Sequence, residues 1–186
     1  MSELLCYAQS DLPVEYACQV LSFLRVHWPG GFTGENRLRS WITRAEDHPV
    51  SYLLVEAGLV ISHAQVVWKS LDHAGETYKA YGITGVLTFP SFRGQGYGLR
   101  VVQAATDAIA RSDADVGMFF CDPGLADFYA RCGWLPMPDT ITWLGPRDGL
   151  VASDELLMMQ FFSEKGRRGR AAFERGPVYF QTYDTW

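Results

Sequence analysis

The fold of this 186-residue chain is decided by the segment Val86-Leu87-Thr88-Phe89-Pro90-Ser91-Phe92-Arg93-Gly94-Gln95-Gly96-Tyr97-Gly98-Leu99. It predicts an apolar strand, a short turn, three glycines at alternating positions and then a helix. Glycines let backbone N–H groups approach a ligand without a Cβ in the way. The start of the helix adds N–H donors and a partial positive charge. The segment therefore predicts a cradle for phosphate groups.

The spacing of the glycines discriminates between known phosphate loops. A Walker loop ends in Gly-Lys-Ser/Thr, and it is excluded because no lysine follows Gly96 or Gly98. A dinucleotide fingerprint has glycines at its first, third and sixth positions, but the sixth position counted from Gly94 is Leu99. A nucleotide-binding domain that uses Asp115, roughly twenty residues further on, stays an alternative.

A third pattern, Arg/Gln-x-x-Gly-x-Gly/Ala, is fulfilled by Arg93, Gly96 and Gly98. With this pattern the loop resembles that of the GNAT superfamily of acetyl-CoA-dependent N-acetyltransferases. A second segment, Phe128-Tyr129-Ala130-Arg131-Cys132-Gly133-Trp134, is similar to the Phe-Tyr-x-x-x-Gly-Phe segment of the same family. The two segments occur in the family's order, with a predicted helix, strand and helix between them.

The resemblance implies one α/β (α+β) domain over residues 1–186 with the GNAT acyl-CoA N-acyltransferase fold. This is a mixed, mainly antiparallel sheet flanked by helices. Gly82 and Gly85 lie inside the predicted strand Tyr78–Phe89, and glycine inside a strand often marks a bulge. Enzymes of this family need such a distortion, because it separates two central strands and admits the thioester arm of the coenzyme.

The resemblance also assigns roles to site residues. The backbone of Val86, Leu87 and Thr88 pairs with the pantetheine arm of acetyl-CoA and supplies an N–H to the developing oxyanion. Tyr129 protonates the departing thiolate, and an ordinary tyrosine, with a pKa of about 10, carries its proton at neutral pH. The coenzyme phosphates are bound by the loop residues Arg93, Gly94, Gln95, Gly96, Tyr97 and Gly98.

The general base is not assigned by the sequence. Many family members use a glutamate on the coenzyme strand, and Thr84 stands at that place here. Threonine cannot act as a general base, so a water chain stays open as the route for the proton. His63 lies in a strand-like apolar run, where a buried structural histidine is the more common finding. The remaining candidates are Glu76, Asp122, Asp154 and Glu155.

The layout resembles one branch of the family, the aminoglycoside 2′-N-acetyltransferases. Ser62–Val67 is similar to the second strand of that branch, and Asp184-Thr185-Trp186 is similar to its end, where a terminal Trp meets the aminoglycoside. The acceptor side departs from it, because the branch's acids are replaced by Thr84 and Gly31. We therefore expect a less cationic, more aromatic amine. The substrate-binding candidates are Thr84, Phe120, Asp154 and Trp186, and the aromatic residues Trp28, Phe32 and Trp41 join Phe120 and Trp186 as candidates for the pocket wall.

Composition limits the classes of function. The net charge is −5, with 48% hydrophobic and 20% charged residues, which argues against nucleic-acid binding. None of the four cysteines forms a Cys-x-x-Cys pair, so no metal or redox motif is indicated. We expect no membrane span and no signal peptide, and hence a cytoplasmic enzyme. The family often forms homodimers, although no feature here specifies an interface.

Three further expectations concern function and local structure. A coenzyme-A-binding regulatory module without turnover stays an alternative to the enzyme, because no glutamate stands at Thr84. The residues Glu35–Ala45 predict a short helix. The basic stretch Lys165–Arg170, interrupted by glycines, predicts an exposed loop.

Overall fold

The computed structural model describes residues 2–146 and 148–180. Its helices are α1 (Val14–His27), α2 (Tyr97–Ala110), α3 (Ala126–Ala130) and α4 (Glu164–Arg175). Its strands are β1 (Glu3–Ala8), β2 (Val50–Glu56), β3 (Leu59–His73), β4 (Glu76–Thr88), β5 (Val116–Cys121), β6 (Leu135–Pro136), β7 (Thr142–Leu144), β8 (Val151–Ala152), β9 (Leu156–Phe161) and β10 (Val178–Phe180).

The chain divides into two compact units. The first unit contains the described residues up to Val67 and the segment Gly85–Ala105. The second contains Trp68–Thr84 and the described residues from Thr106 onward. Strands β3 and β4 and helix α2 therefore contribute residues to both units. The single domain over residues 1–186 stays a prediction.

The first unit is a helix on a sheet. Strands β1, β2, β3 and β4 are neighbours in that order, and the β1–β2 and β2–β3 pairs are antiparallel. Strands β2 and β3 form a hairpin, with positive φ angles at Ala57 and Gly58 in its two-residue turn. The apolar spacing along α1 brings its inner face onto the sheet. The core is formed by Val20, Leu21, Phe23, Leu24, Ile42, Leu53, Val55, Val60 and Leu87.

In the second unit the strand order is β4, β5, β9 and β6, with β4 and β5 parallel and the later pairs antiparallel. A separate three-stranded sheet has the order β10, β7, β8. The expected mixed, mainly antiparallel sheet with flanking helices is thus confirmed. Gly117 on β5 makes room for the indole of Trp134, which a Cβ would approach to 2.8 Å. The indole Nε1–H donates to the Thr106 hydroxyl at 2.9 Å.

Helix α4 corrects the expectation of an exposed loop at Lys165–Arg170. The Ser163 hydroxyl accepts the Gly166 N–H at 3.0 Å and caps the helix. A Cβ at Gly166 would overlap the carbonyl of Asp115, and one at Gly169 would overlap the Tyr78 hydroxyl. The two glycines therefore allow the helix backbone to lie against its own unit, and this packing offsets their low helix propensity.

The prediction of a helix over Glu35–Ala45 is also wrong. Gly34–Leu38 and Ala45–Asp47 form separate 3₁₀ turns instead, and Leu38 is 81% exposed. The apolar residues of this segment therefore do not share one buried face. Within residues 2–146 and 148–180, no helix combines the length and the apolar character needed to cross a membrane.

Candidate functional site

The glycine loop lies between β4 and α2 in the first unit. Gly94 has φ +75° and Gly96 has φ +81°, values that L-residues rarely adopt. A Cβ built at either position meets no heavy atom within 4 Å. Glycine is therefore required by the backbone conformation, and the space beside that backbone is open. A phosphate group fits such a loop, because the chain can approach it closely.

Local contacts hold the loop in this shape. The Arg93 Nε donates to the Thr88 carbonyl at 3.0 Å, and the Gln95 amide donates to the Ser91 carbonyl at 3.3 Å. The rings of Phe92 and Tyr97 meet edge to face at 6.2 Å. The six predicted phosphate-binding residues are thus gathered in one ordered turn at the N-terminus of α2.

Strand β4, which precedes the loop, is distorted at Gly85. This residue has φ +57° in the middle of the strand, as its glycine predicts. The parallel ladder with β5 joins only Ala80 to Val116 and Tyr81 to Gly117 among the described residues, although β4 continues to Thr88. Beyond Tyr81 the β4 backbone therefore has an edge that an extended ligand could pair with.

A buried histidine contacts the distortion. His63 on β3 is fully buried, and its Nδ1 lies 2.8 Å from the Gly85 carbonyl oxygen. Its Nε2 lies 3.2 Å from the Ser51 hydroxyl. That hydroxyl also accepts the amide N–H of Gln65 at 3.0 Å, and the Gln65 carbonyl oxygen accepts the Thr43 hydroxyl at 2.6 Å.

Burial lowers the pKa of His63 to about 4, with the Gly85 hydrogen bond opposing the shift. The imidazole is therefore neutral at pH 7 and a poor general base. A neutral ring has one donor and one acceptor, and only Nδ1–H can satisfy the Gly85 carbonyl. The sequence indicated His63 only as a candidate base or core residue. The available signal was a run of polar residues, Ser62, His63 and Gln65, inside an apolar strand.

Tyr129 lies in the second unit, on α3. It is 6% exposed, and its ring packs edge to face on Phe119 at 4.6 Å. Burial, followed by the neighbouring Cys121 and Cys132, raises the pKa of Tyr129 well above its ordinary value. The phenol therefore stays protonated throughout the neutral and mildly alkaline range, as a proton donor must.

The predicted acceptor residues fall in different places. Thr84 is half-buried on β4 in the second unit. Phe120 is buried on β5, with its ring 5.6 Å from that of Phe180. Asp154 is exposed between β8 and β9. Trp186 lies outside the described residues. The structure thus brings together the loop and Val86–Thr88 in the first unit and places Tyr129, Thr84, Phe120 and Asp154 in the second.

An arginine–aromatic cluster occupies the segment after α1 in the first unit. The Arg39 guanidinium lies 4.1 Å from the ring centroid of Phe32 and 4.7 Å from that of Trp41. Arg25 adds a second cation at 5.1 Å from the Phe32 ring. Two of the aromatic residues expected at an acceptor pocket are thus covered by positive charge. No cluster of His, Cys, Asp or Glu suited to a metal ion occurs among residues 2–146 and 148–180.

Comparison with known proteins adds an independent observation. A family model described as "Acetyltransferase (GNAT) domain" matches residues 10–137, which is more than half of the chain. No curated protein matches the sequence.

Solved structures with the same fold have low sequence identity to this chain. The YhbS N-acetyltransferase of Escherichia coli in complex with CoA has a TM-score of 0.61 at 17% identity, over 97% of this chain and 91% of its own. Escherichia coli ElaA has a TM-score of 0.59 at 16% identity, over 86% of this chain and 99% of its own. A probable N-acyltransferase of Enterococcus faecalis V583 has a TM-score of 0.58 at 15% identity, over 74% of this chain. This chain spans only 33% of that larger protein.

Proposed function

Because this chain belongs to the GNAT family of acetyltransferases, we propose that it transfers the acetyl group of acetyl-CoA directly to the primary amine of a small molecule. The observation that carries the proposal is the pair of positive φ angles at Gly94 and Gly96, in an open loop at the N-terminus of α2. This geometry supports binding of the coenzyme phosphates.

The coenzyme arm is proposed to extend along the free edge of β4. The backbone of Val86, Leu87 and Thr88 would pair with the amides of the pantetheine group, as an added strand pairs with a sheet edge. The distortion at Gly85 lies directly before these residues. It turns the backbone at the point where the thioester follows the arm.

The chemistry requires an oxyanion donor and a proton donor. The amine nitrogen forms a bond to the acetyl carbonyl carbon, and the carbon–sulfur bond breaks. The Val86 N–H would stabilise the negative charge that develops on the thioester oxygen. Tyr129 would give its proton to the departing thiolate sulfur. The proton that the amine nitrogen loses as the amide forms leaves to water, since Thr84 offers no base.

The acceptor is proposed to be an amine of low positive charge. An aminoglycoside is a polycation and needs several carboxylates for binding. Thr84 carries none, and the charged side chains that lie against Phe32 and Trp41 are arginines rather than carboxylates. An aromatic amine of low charge suits such a set of arginine and aromatic side chains better. Aminoglycoside acetylation remains the second candidate, because the layout of the coenzyme half resembles that branch.

Two measurements on the full chain test the proposal. Acetyl-CoA at about 100 times its Kd should raise the apparent stability by ~2.7 kcal/mol, which is roughly 5–10 °C for a domain of this size. NAD and ATP serve as controls. Release of free CoA thiol is then followed with a panel of aromatic, aliphatic and aminoglycoside amines. Binding without turnover on any amine would favour a regulatory module, and a shift with NAD or ATP alone would refute the coenzyme assignment.

A further inference from the structure

The hydrogen bond between His63 and Gly85 fixes the direction of the Val86 N–H as well as that of the Gly85 carbonyl. The Gly85–Val86 peptide is trans and planar, so its C=O and N–H point in opposite directions. When Nδ1–H of His63 holds the Gly85 carbonyl at 2.8 Å, the same bond directs the Val86 N–H away from the imidazole. The direction of that N–H is thus set by a side chain on the neighbouring strand.

We propose that His63 is a positioning residue, which orients the Val86 N–H toward the thioester oxygen through its bond to the Gly85 carbonyl. The inference rests on the proposed function, in which the Val86 N–H is the oxyanion donor. His63 does not touch the substrate and exchanges no proton during the reaction.

The partners of His63 hold it in the tautomer that this role requires. Gln65 donates to the Ser51 hydroxyl, which leaves the Ser51 proton free to point at Nε2 of His63. The Gln65 carbonyl oxygen in turn accepts the Thr43 hydroxyl, so its amide cannot rotate without losing a bond. The Thr43 backbone is itself held by both amide atoms of Gln9. Every donor in this series of hydrogen bonds faces an acceptor, and the series ends at the Gly85 carbonyl.

The fit at Gly85 is equally specific. Its φ of +57° turns the carbonyl toward the histidine, and a Cβ there would lie 3.4 Å from Cε1 of His63. A side chain at this position would strain the backbone, and its Cβ would already be in van der Waals contact with the ring. Glycine at 85 and histidine at 63 therefore act as one unit, which explains why the strand contains a fully buried imidazole that is bonded to the uncharged Gly85 carbonyl and Ser51 hydroxyl.

Two substitutions of His63 by an amide side chain test the hydrogen bonds of the two ring nitrogens separately. In His63→Asn the side-chain nitrogen can occupy the place of Nδ1 and still donate to Gly85. In His63→Gln it reaches the place of Nε2 and contacts Ser51 instead. Both variants bury an amide of similar polarity, so a merely structural role would affect them alike. The matched pair therefore isolates the bond to Gly85.

The first readout is the infrared stretch of the thioester carbonyl in acetyl-CoA carrying ¹³C at that carbon, bound to each full-length protein. A hydrogen bond from Val86 lowers this frequency. We expect the wild type and His63→Asn to show the lowered frequency and His63→Gln to lose it. We expect His63→Gln to lower kcat by about 10- to 100-fold, as a donor misplaced by about 1 Å does. The KM for acetyl-CoA should change by no more than about 2-fold, since the loop and the arm-binding edge are intact.

Equal frequencies and equal kcat values in the two variants would overturn the inference. If both variants fail to fold, the wild type still decides it, because ¹⁵N NMR of the His63 ring reports the tautomer directly. A proton on Nε2 would overturn the inference, and a proton on Nδ1 would support it. A wild type that binds acetyl-CoA but fails with every amine would instead refute the proposed transfer, whatever the His63 variants show.

Discussion

Substitution of Gly96 by alanine tests the assignment of the phosphate loop most directly. Gly96 has φ +81°, and a side chain in the left-handed region costs roughly 1–2 kcal/mol. Part of this cost, ~0.4–1 kcal/mol, is offset because alanine restricts the unfolded chain. We therefore expect a net loss of about 1 kcal/mol in the free energy of unfolding, or roughly 2–4 °C in Tm.

Gly96→Ala should also weaken the binding of acetyl-CoA, in addition to lowering stability. If the alanine leaves the strained conformation, the binding-competent loop is populated less, and 1.4 kcal/mol corresponds to about a tenfold change in Kd. The new methyl group also enters the open space beside the loop, where the phosphate is expected. We expect the Kd for acetyl-CoA, measured by titration calorimetry, to rise by about 10-fold or more.

Gly58→Ala is the matched control. Gly58 has φ +79° and also has no heavy atom within 4 Å of a built Cβ, but it lies in the β2–β3 hairpin turn. It should lose the same stability and keep the wild-type Kd. If Gly96→Ala loses stability like the control and binds acetyl-CoA with unchanged Kd, the loop does not hold the coenzyme phosphates.

Three further predictions concern chemistry and stability. Tyr129→Phe should lower kcat by about 100-fold with the Kd for acetyl-CoA unchanged, and an unaltered kcat in steady-state assays would remove Tyr129 from the mechanism. Because the pKa of His63 is about 4 in the folded protein and 6.5 ordinarily, the unfolded chain takes up a proton first on acidification. Stability should therefore fall as the pH drops from 6.5 toward 4, by roughly 2–3 kcal/mol from this group, and urea unfolding should show a shallower fall for His63→Asn. Gly166→Ala should destabilise by about 1–3 kcal/mol, because its Cβ overlaps the Asp115 carbonyl, whereas Gly30→Ala, with open space around its Cβ, should unfold at the wild-type urea concentration or above.

The locally encoded parts of the fold were predictable from the sequence. The strand Val116–Cys121 is a continuous apolar run that ends at the turn signal Asp122-Pro123. The Asp122 side chain accepts the Gly124 N–H at 2.7 Å, and an Asp before a Pro is a local capping signal that the sequence carries. The glycine loop has its positive φ angles at Gly94 and Gly96 for the same local reason. The roles assigned to this loop and to Tyr129 stay predictions that the substitutions above test.

The parts that depend on distant contacts were not predictable. Lys165–Arg170 has the composition of a loop, and its helix exists because Gly166 and Gly169 let the backbone lie against Asp115 and Tyr78, far away in sequence. The hydrogen bonds that lead through Ser51 and His63 to the Gly85 carbonyl likewise join residues that are distant in sequence.

Turn and helix signals act over a few neighbouring residues, so a glycine loop that follows a strand and opens a helix can be inferred without the fold. Which side chain controls the distorted strand depends on how the strands pair. His63 and Gln65 lie on β3, Ser51 lies on β2 and Thr43 precedes β2, so their polar atoms satisfy one another only when the strands pair. A buried polar group without a partner costs about 1–3 kcal/mol, so the fold fixes these partners and, through them, the carbonyl of Gly85.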